Sequence, residues 1–68
     1  MKGNEYMKNG EFDHAVWKYS EALELVKDVK AIWLNRALAY LKLRKYRKCI
    51  HDCTRVLEYA EYFEHGYT

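Results

Sequence analysis

A chain of 68 residues, half of them hydrophobic and none of them proline, has room for one small domain near the lower limit for an independent core. Its formal charge of +2 is unremarkable, and no apolar run approaches the eighteen or so residues that would span a bilayer. Cys49 and Cys53 indicate no disulfide framework and Met1–Glu5 no signal-type segment, so a soluble cytoplasmic protein is expected, with no membrane contact.

Met1–Lys8 reads as a short helix, ended by Asn9-Gly10, a pair suited to a left-handed helix exit. Phe12–Val26 follows, with Phe12, Ala15, Val16, Tyr19, Ala22, Leu23 and Val26 at helical spacing. After the polar break at Lys27-Asp28, a central helix starts at Val29 or Lys30. Its apolar residues Ile32, Trp33, Ala37, Tyr40, Leu41 and Leu43 are joined by Leu34 and Leu38. So wide an apolar surface needs protein on more than one side. Asn35 and Lys42 interrupt it. Arg44-Lys45 marks a second turn, and Tyr46 to about Tyr62 forms a fourth helix. Tyr46, Cys49, Ile50, Cys53, Val56, Leu57 and Ala60 make its apolar side, and Gly66 ends it or starts a new unit.

Charge is unevenly spread. Residues 36–55 carry seven basic side chains against Asp52 alone, and Lys42, Arg44, Lys45, Arg47 and Lys48 crowd around Tyr46. Such a cluster can meet phosphates or an acidic partner, but a solvated turn between helices is the more ordinary reading. Nucleic acid is not the expected partner.

Sliding the sequence by 34 residues aligns Tyr6 with Tyr40, Lys8 with Lys42, Phe12 with Tyr46, Ala15 with Cys49 and Val16 with Ile50. Ala22, Leu23 and Glu24 then meet Val56, Leu57 and Glu58, so size and polarity stay in register without a gap. The fold expected is all-α: two helical hairpins, about 1–29 and 30–63, with residues 64–68 starting an incomplete third unit. Small residues Gly3, Ala15, Ala22 and Ala37 let paired helices approach, while Tyr6, Phe12, Tyr40 and Tyr46 fill the layers between them.

A 34-residue pair of helices is the period of the tetratricopeptide repeat, which this chain resembles through Gly3, Tyr6, Phe12, Ala15, Tyr19 and Ala22. Trp33, Ala37, Tyr40, Tyr46, Cys49, Cys53 and Val56 carry the signature in the second unit, and the usual repeat-ending proline is absent from both. The resemblance implies a protein-interaction module. The first helix of each pair would line a concave groove, presenting Asn4, Met7, Lys8, Ala31, Leu34, Asn35, Leu38, Leu41 and Lys42 to an extended peptide. Gly3-Asn4 and Leu34–Ala37 resemble the chaperone-binding members. There a two-carboxylate clamp holds the acidic C-terminal tail of the seventy and ninety kilodalton heat-shock chaperones, and Asn4 and Asn35 would be its asparagines. The clamp's cations would fall before Met1, at His65 and past Thr68, so a piece of a longer domain with weak clamp binding or none is expected.

Other chemistry is not expected. Cys49 and Cys53 share a helical face, but His51 points away, at about 200° from Cys49, and a fourth zinc ligand is lacking. Asp13-His14 has no nucleophile partner, and no paired-carboxylate, Ser–His–Asp or glycine-rich phosphate motif occurs, so neither catalysis nor a cofactor is expected. Trp17 lies off the apolar stripe, where it covers a gap or meets another chain. The fourth helix would present Ile50, Cys53 and Leu57 to a missing third repeat, with Tyr59, Tyr62, Phe63 and Tyr67 beside them. Self-association through this uncapped face is the alternative function, and a homo-oligomer is expected.

Overall fold

The computed structural model of the protein describes backbone over residues 2–65 and side chains over residues 2–58. Four helices occupy this span: α1 (Lys2–Lys8), α2 (Phe12–Leu25), α3 (Lys30–Lys42) and α4 (Tyr46–His65). Each packs on the next, α1 on α2, α2 on α3 and α3 on α4, which makes two stacked hairpins. None of the helices, over the described residues, is long and apolar enough to cross a membrane.

Helix ends depart from the apolar pattern at two places. Val26 leaves α2 with extended backbone, φ −134° and ψ 114°, although its N–H still closes on the Ala22 carbonyl. The α4 backbone runs past Tyr62 to His65.

The repeat extends to individual backbone hydrogen bonds. In the first turn the N–H groups of Asn9, Gly10 and Glu11 donate to the carbonyls of Glu5, Met7 and Tyr6. Thirty-four residues on, Leu43, Arg44 and Lys45 donate to Ala39, Leu41 and Tyr40 in the same order. Both turns pass through left-handed backbone, at Gly10 (φ 77°) and Arg44 (φ 60°). A Cβ on Gly10 would touch nothing within 4 Å, so glycine serves the backbone alone there. Arg44 holds the same conformation with a Cβ, at a cost of about 1 kcal/mol. Ring contacts repeat as well: Tyr6 stacks on His14 at 5.2 Å, and Lys48, the counterpart of His14, lies 5.7 Å from the Tyr40 ring.

Ala15, Tyr19 and Leu23 of α2 interlock with Ile32, Trp33 and Ala39 of α3 to form the core, and Tyr6, Met7, Val16, Ala22 and Val56 pack around it. The Trp33 indole N–H donates to the Lys27 carbonyl at 2.9 Å, pinning α3 to the preceding loop. Tyr46, expected to fill a layer, is instead exposed. Its counterpart Phe12 opens α2, which α3 covers; nothing among the described residues covers the outer side of α4.

A buried ion pair crosses the second hairpin. Arg36 grips Asp52 with two parallel hydrogen bonds, Nε to Oδ2 and Nη2 to Oδ1, each 2.8 Å. Its third nitrogen, Nη1, donates to Ser20 Oγ at 3.0 Å, so one guanidinium links α2, α3 and α4. The Trp33 ring lies 4.9 Å from the guanidinium carbon. The hydrogen bond to Asp52 raises the Arg36 pKa further, although burial opposes it.

Candidate functional site

Leu34, Leu38 and Leu41 stand on one side of α3 at helical spacing, 49%, 45% and 46% exposed. With Ala37 of α3 and Cys49 and Cys53 of α4 they line an open hollow of about 210 Å³. Ile50 and Leu57 add exposed apolar surface on α4, at 63% and 65%. Three residues expected of a peptide groove and one expected of a self-association face, Cys53, therefore share a single concavity.

The repeat explains why the hollow is there. Gly3 and Tyr19 are the counterparts of Ala37 and Cys53. Tyr19 is fully buried, and a Cβ on Gly3 would come within 2.6 Å of its ring. In the second unit a thiol replaces that ring, and none of the described residues fills the space beside it. Coverage differs too. Ala15, Tyr19 and Leu23 are buried, whereas their counterparts Cys49, Cys53 and Leu57 are half-buried or exposed.

The two asparagines are in different states. Asn4 is exposed, and its Oδ1 accepts a hydrogen bond from the Tyr19 hydroxyl. That bond commits the amide oxygen and leaves the –NH₂ group as its free end. Asn35 is half-buried and has no side-chain hydrogen-bond partner among the described residues. Met7 packs against the core. Lys8 and Lys42 are exposed in the last turns of α1 and α3, where a cation suits the helix dipole whether or not a ligand is present. Asn4, Met7, Lys8, Ala31, Asn35 and Lys42 do not line the hollow. The side chains of Tyr59, Tyr62, Phe63 and His65 lie outside the described residues.

Cys53 is exposed and Cys49 half-buried. Burial pushes the Cys49 thiol pKa up, helped by neighbouring Cys53 and Asp52. His51 is exposed and contacts Asp52 Oδ1 at 3.3 Å through Nδ1. No cluster of three or more metal-binding side chains occurs among the described residues. Trp17 is exposed, with the Lys18 ammonium 4.5 Å from its ring centre. Sequence reasoning missed the Arg36–Asp52 pair, although Asp52 is the sole acid in a basic stretch, and that isolation was the available signal.

Two family models match the chain: one described as TPR repeat over residues 3–43, the other as Tetratricopeptide repeat over residues 31–63. Tetratricopeptide repeat protein 12 of Homo sapiens is 45% identical over 60 residues, which is 88% of this chain and 8% of that protein. The mitochondrial import receptor subunit TOM34 of Homo sapiens is 42% identical over 57 residues, 84% of this chain and 18% of the relative. The heat shock protein sti1 homolog of Schizosaccharomyces pombe is 36% identical over 67 residues, 98% of this chain and 11% of the relative. The chain thus spans less than a fifth of the length of each of these relatives. No solved structure matches it. With the 34-residue repeat present in sequence, in turn hydrogen bonds and in packing, the chain belongs to the tetratricopeptide repeat family.

Proposed function

We infer that this protein–protein interaction module binds an extended peptide with an acidic, free C-terminus along the α3 trough. The observation carrying this reading is the row of half-exposed Leu34, Leu38 and Leu41 beside Asn35, whose amide has no hydrogen-bond partner among the described residues. Leucines on a trough floor take up apolar side chains of a ligand, and an unpaired amide can donate to its backbone or carboxylate. Asn4 supports the same chemistry, because its oxygen is held by Tyr19 and its –NH₂ is left to donate. Lys8 and Lys42 add attraction for an acidic ligand. Similarity to a relative named as a heat shock protein favours the acidic tail of a heat-shock chaperone as that ligand. The cytoplasm is where such a tail would be met.

The second reading is self-association through Ile50, Cys53 and Leu57, favoured by their exposure on the uncovered side of α4. One set of titrations separates the two readings. An acidic peptide with a free C-terminus should bind the 68-residue chain, and Asn35→Ala should weaken it roughly tenfold, the loss of a hydrogen bond to a charged group. Amidation of the peptide should weaken it similarly. Equal binding by Asn35→Ala and by the amidated peptide would end the trough reading. Sedimentation of the same samples reads the alternative: a monomer throughout ends self-association.

A further inference from the structure

The two hairpin turns share one backbone but carry opposite charge. At matched positions the first has Gly10, Glu11, Phe12, Asp13 and His14, and the second Arg44, Lys45, Tyr46, Arg47 and Lys48. The first arrangement suits the fold: Gly10 fits left-handed backbone, and Asp13 sits favourably in the first turn of α2. The second works against it at each point. Arg44 takes φ 60° with a Cβ, and the first turn of α4 has no acidic residue and two cations, Arg47 and Lys48, facing the positive end of the dipole. None of Lys42, Arg44, Lys45, Arg47 or Lys48 forms an ion pair among the described residues. Lys45, Tyr46, Arg47 and Lys48 enclose an open hollow of about 270 Å³ with the Tyr46 ring exposed beside it. Folding alone does not account for such a sequence.

We propose that the α3–α4 turn docks an acidic stretch of a protein partner, with carboxylates against Arg44, Lys45, Arg47 and Lys48 and a side chain against Tyr46. Four cations with no ion pair among the described residues, around one exposed aromatic ring, match a short run of Asp or Glu in charge and reach. A second copy of the chain matches less well. Its acidic turn offers only Glu11 and Asp13, and its C-terminal acids Glu58, Glu61 and Glu64 are spread at three-residue intervals along a helix rather than in a run. Single-stranded nucleic acid also fits less well, because it asks for a groove following its backbone and successive stacking rings, and one tyrosine on a turn provides neither. The surface uses none of Leu34, Asn35, Leu38 or Leu41, so it holds whether or not the trough takes a peptide.

The test is a titration of fluorescein-labelled, C-terminally amidated hexaglutamate, which lacks the free carboxylate the trough reading requires, into the 68-residue chain at about 20 and about 200 mM salt. The variant Lys45→Glu with Arg47→Asp installs the residues that the first turn already carries on this backbone. It should keep or raise its thermal midpoint while binding hexaglutamate roughly tenfold more weakly, with a flatter salt dependence. Tyr46→Ala should also weaken binding. Unchanged affinity in the double variant, no binding of hexaglutamate at millimolar order, or tighter binding of hexathymidylate than of hexaglutamate would each overturn the proposal.

Discussion

Asp52→Ala is expected to remove about 3–5 kcal/mol of folding stability, the usual result of stranding one partner of a buried ion pair. Asp52 is fully buried and receives two hydrogen bonds from Arg36, whose third donor reaches Ser20 on α2. Alanine would leave the guanidinium between Trp33 and Tyr40 with neither a counter-charge nor two of its acceptors. A domain of this size has roughly 3–10 kcal/mol in total, so the variant should lose about a third or more of its stability. Chemical denaturation followed by helical circular dichroism reads this directly. The penalty arises from the uncompensated charge, so Asp52→Leu combined with Arg36→Met should cost clearly less than Asp52→Ala alone. If the double variant is the worse of the two, the pair stabilises the fold through its attraction rather than through the cost of breaking it.

Gly3→Ala is expected to cost about 1–3 kcal/mol, even though alanine is the better helix former by about 1 kcal/mol. The new methyl would lie 2.6–2.9 Å from three atoms of the Tyr19 ring. That ring cannot easily move away, because it is fully buried and its hydroxyl is bonded to Asn4. The strain should show as loosening of α1 from α2, seen in amide hydrogen exchange across Lys2–Lys8. A double-mutant cycle isolates the cause. In a Tyr19→Leu background, Gly3→Ala should become neutral or stabilising; an unchanged penalty there would mean that the ring contact is not its source.

The residues that carry the repeat were legible because they obey two local rules, helical periodicity and matched size at a 34-residue offset. Leu34, Leu38 and Leu41 stood out for the same reason: they made the third helix apolar over more of its circumference than one neighbour could bury. What the sequence could not give is what depends on absence. Tyr46 shares the pattern of Phe12, yet a pattern does not say whether a covering helix follows. The hollow at Ala37 and Cys53 appears only when that pair is set against Gly3 and Tyr19 in three dimensions. Arg36 and Asp52 escaped because the first unit has Lys2 and Lys18 at their positions, so comparing the repeats hides the pair. The repeat gives Asn4 a groove position, while its particular partner, the Tyr19 hydroxyl, emerges only from the packing of α1 on α2.

The openness of the face shared by α3 and α4 underlies both functional readings, and Cys53 reports on it. Alkylation by iodoacetamide, followed by mass spectrometry of the two thiols, measures that openness at each site. Cys53 should react at the rate of an exposed thiol, while Cys49, half-buried and with its pKa raised by burial, should react several-fold more slowly. A bound acidic peptide should then protect Cys53. A Cys53 already as slow as Cys49 in dilute, peptide-free protein would mean that the face is covered, and would contradict the trough.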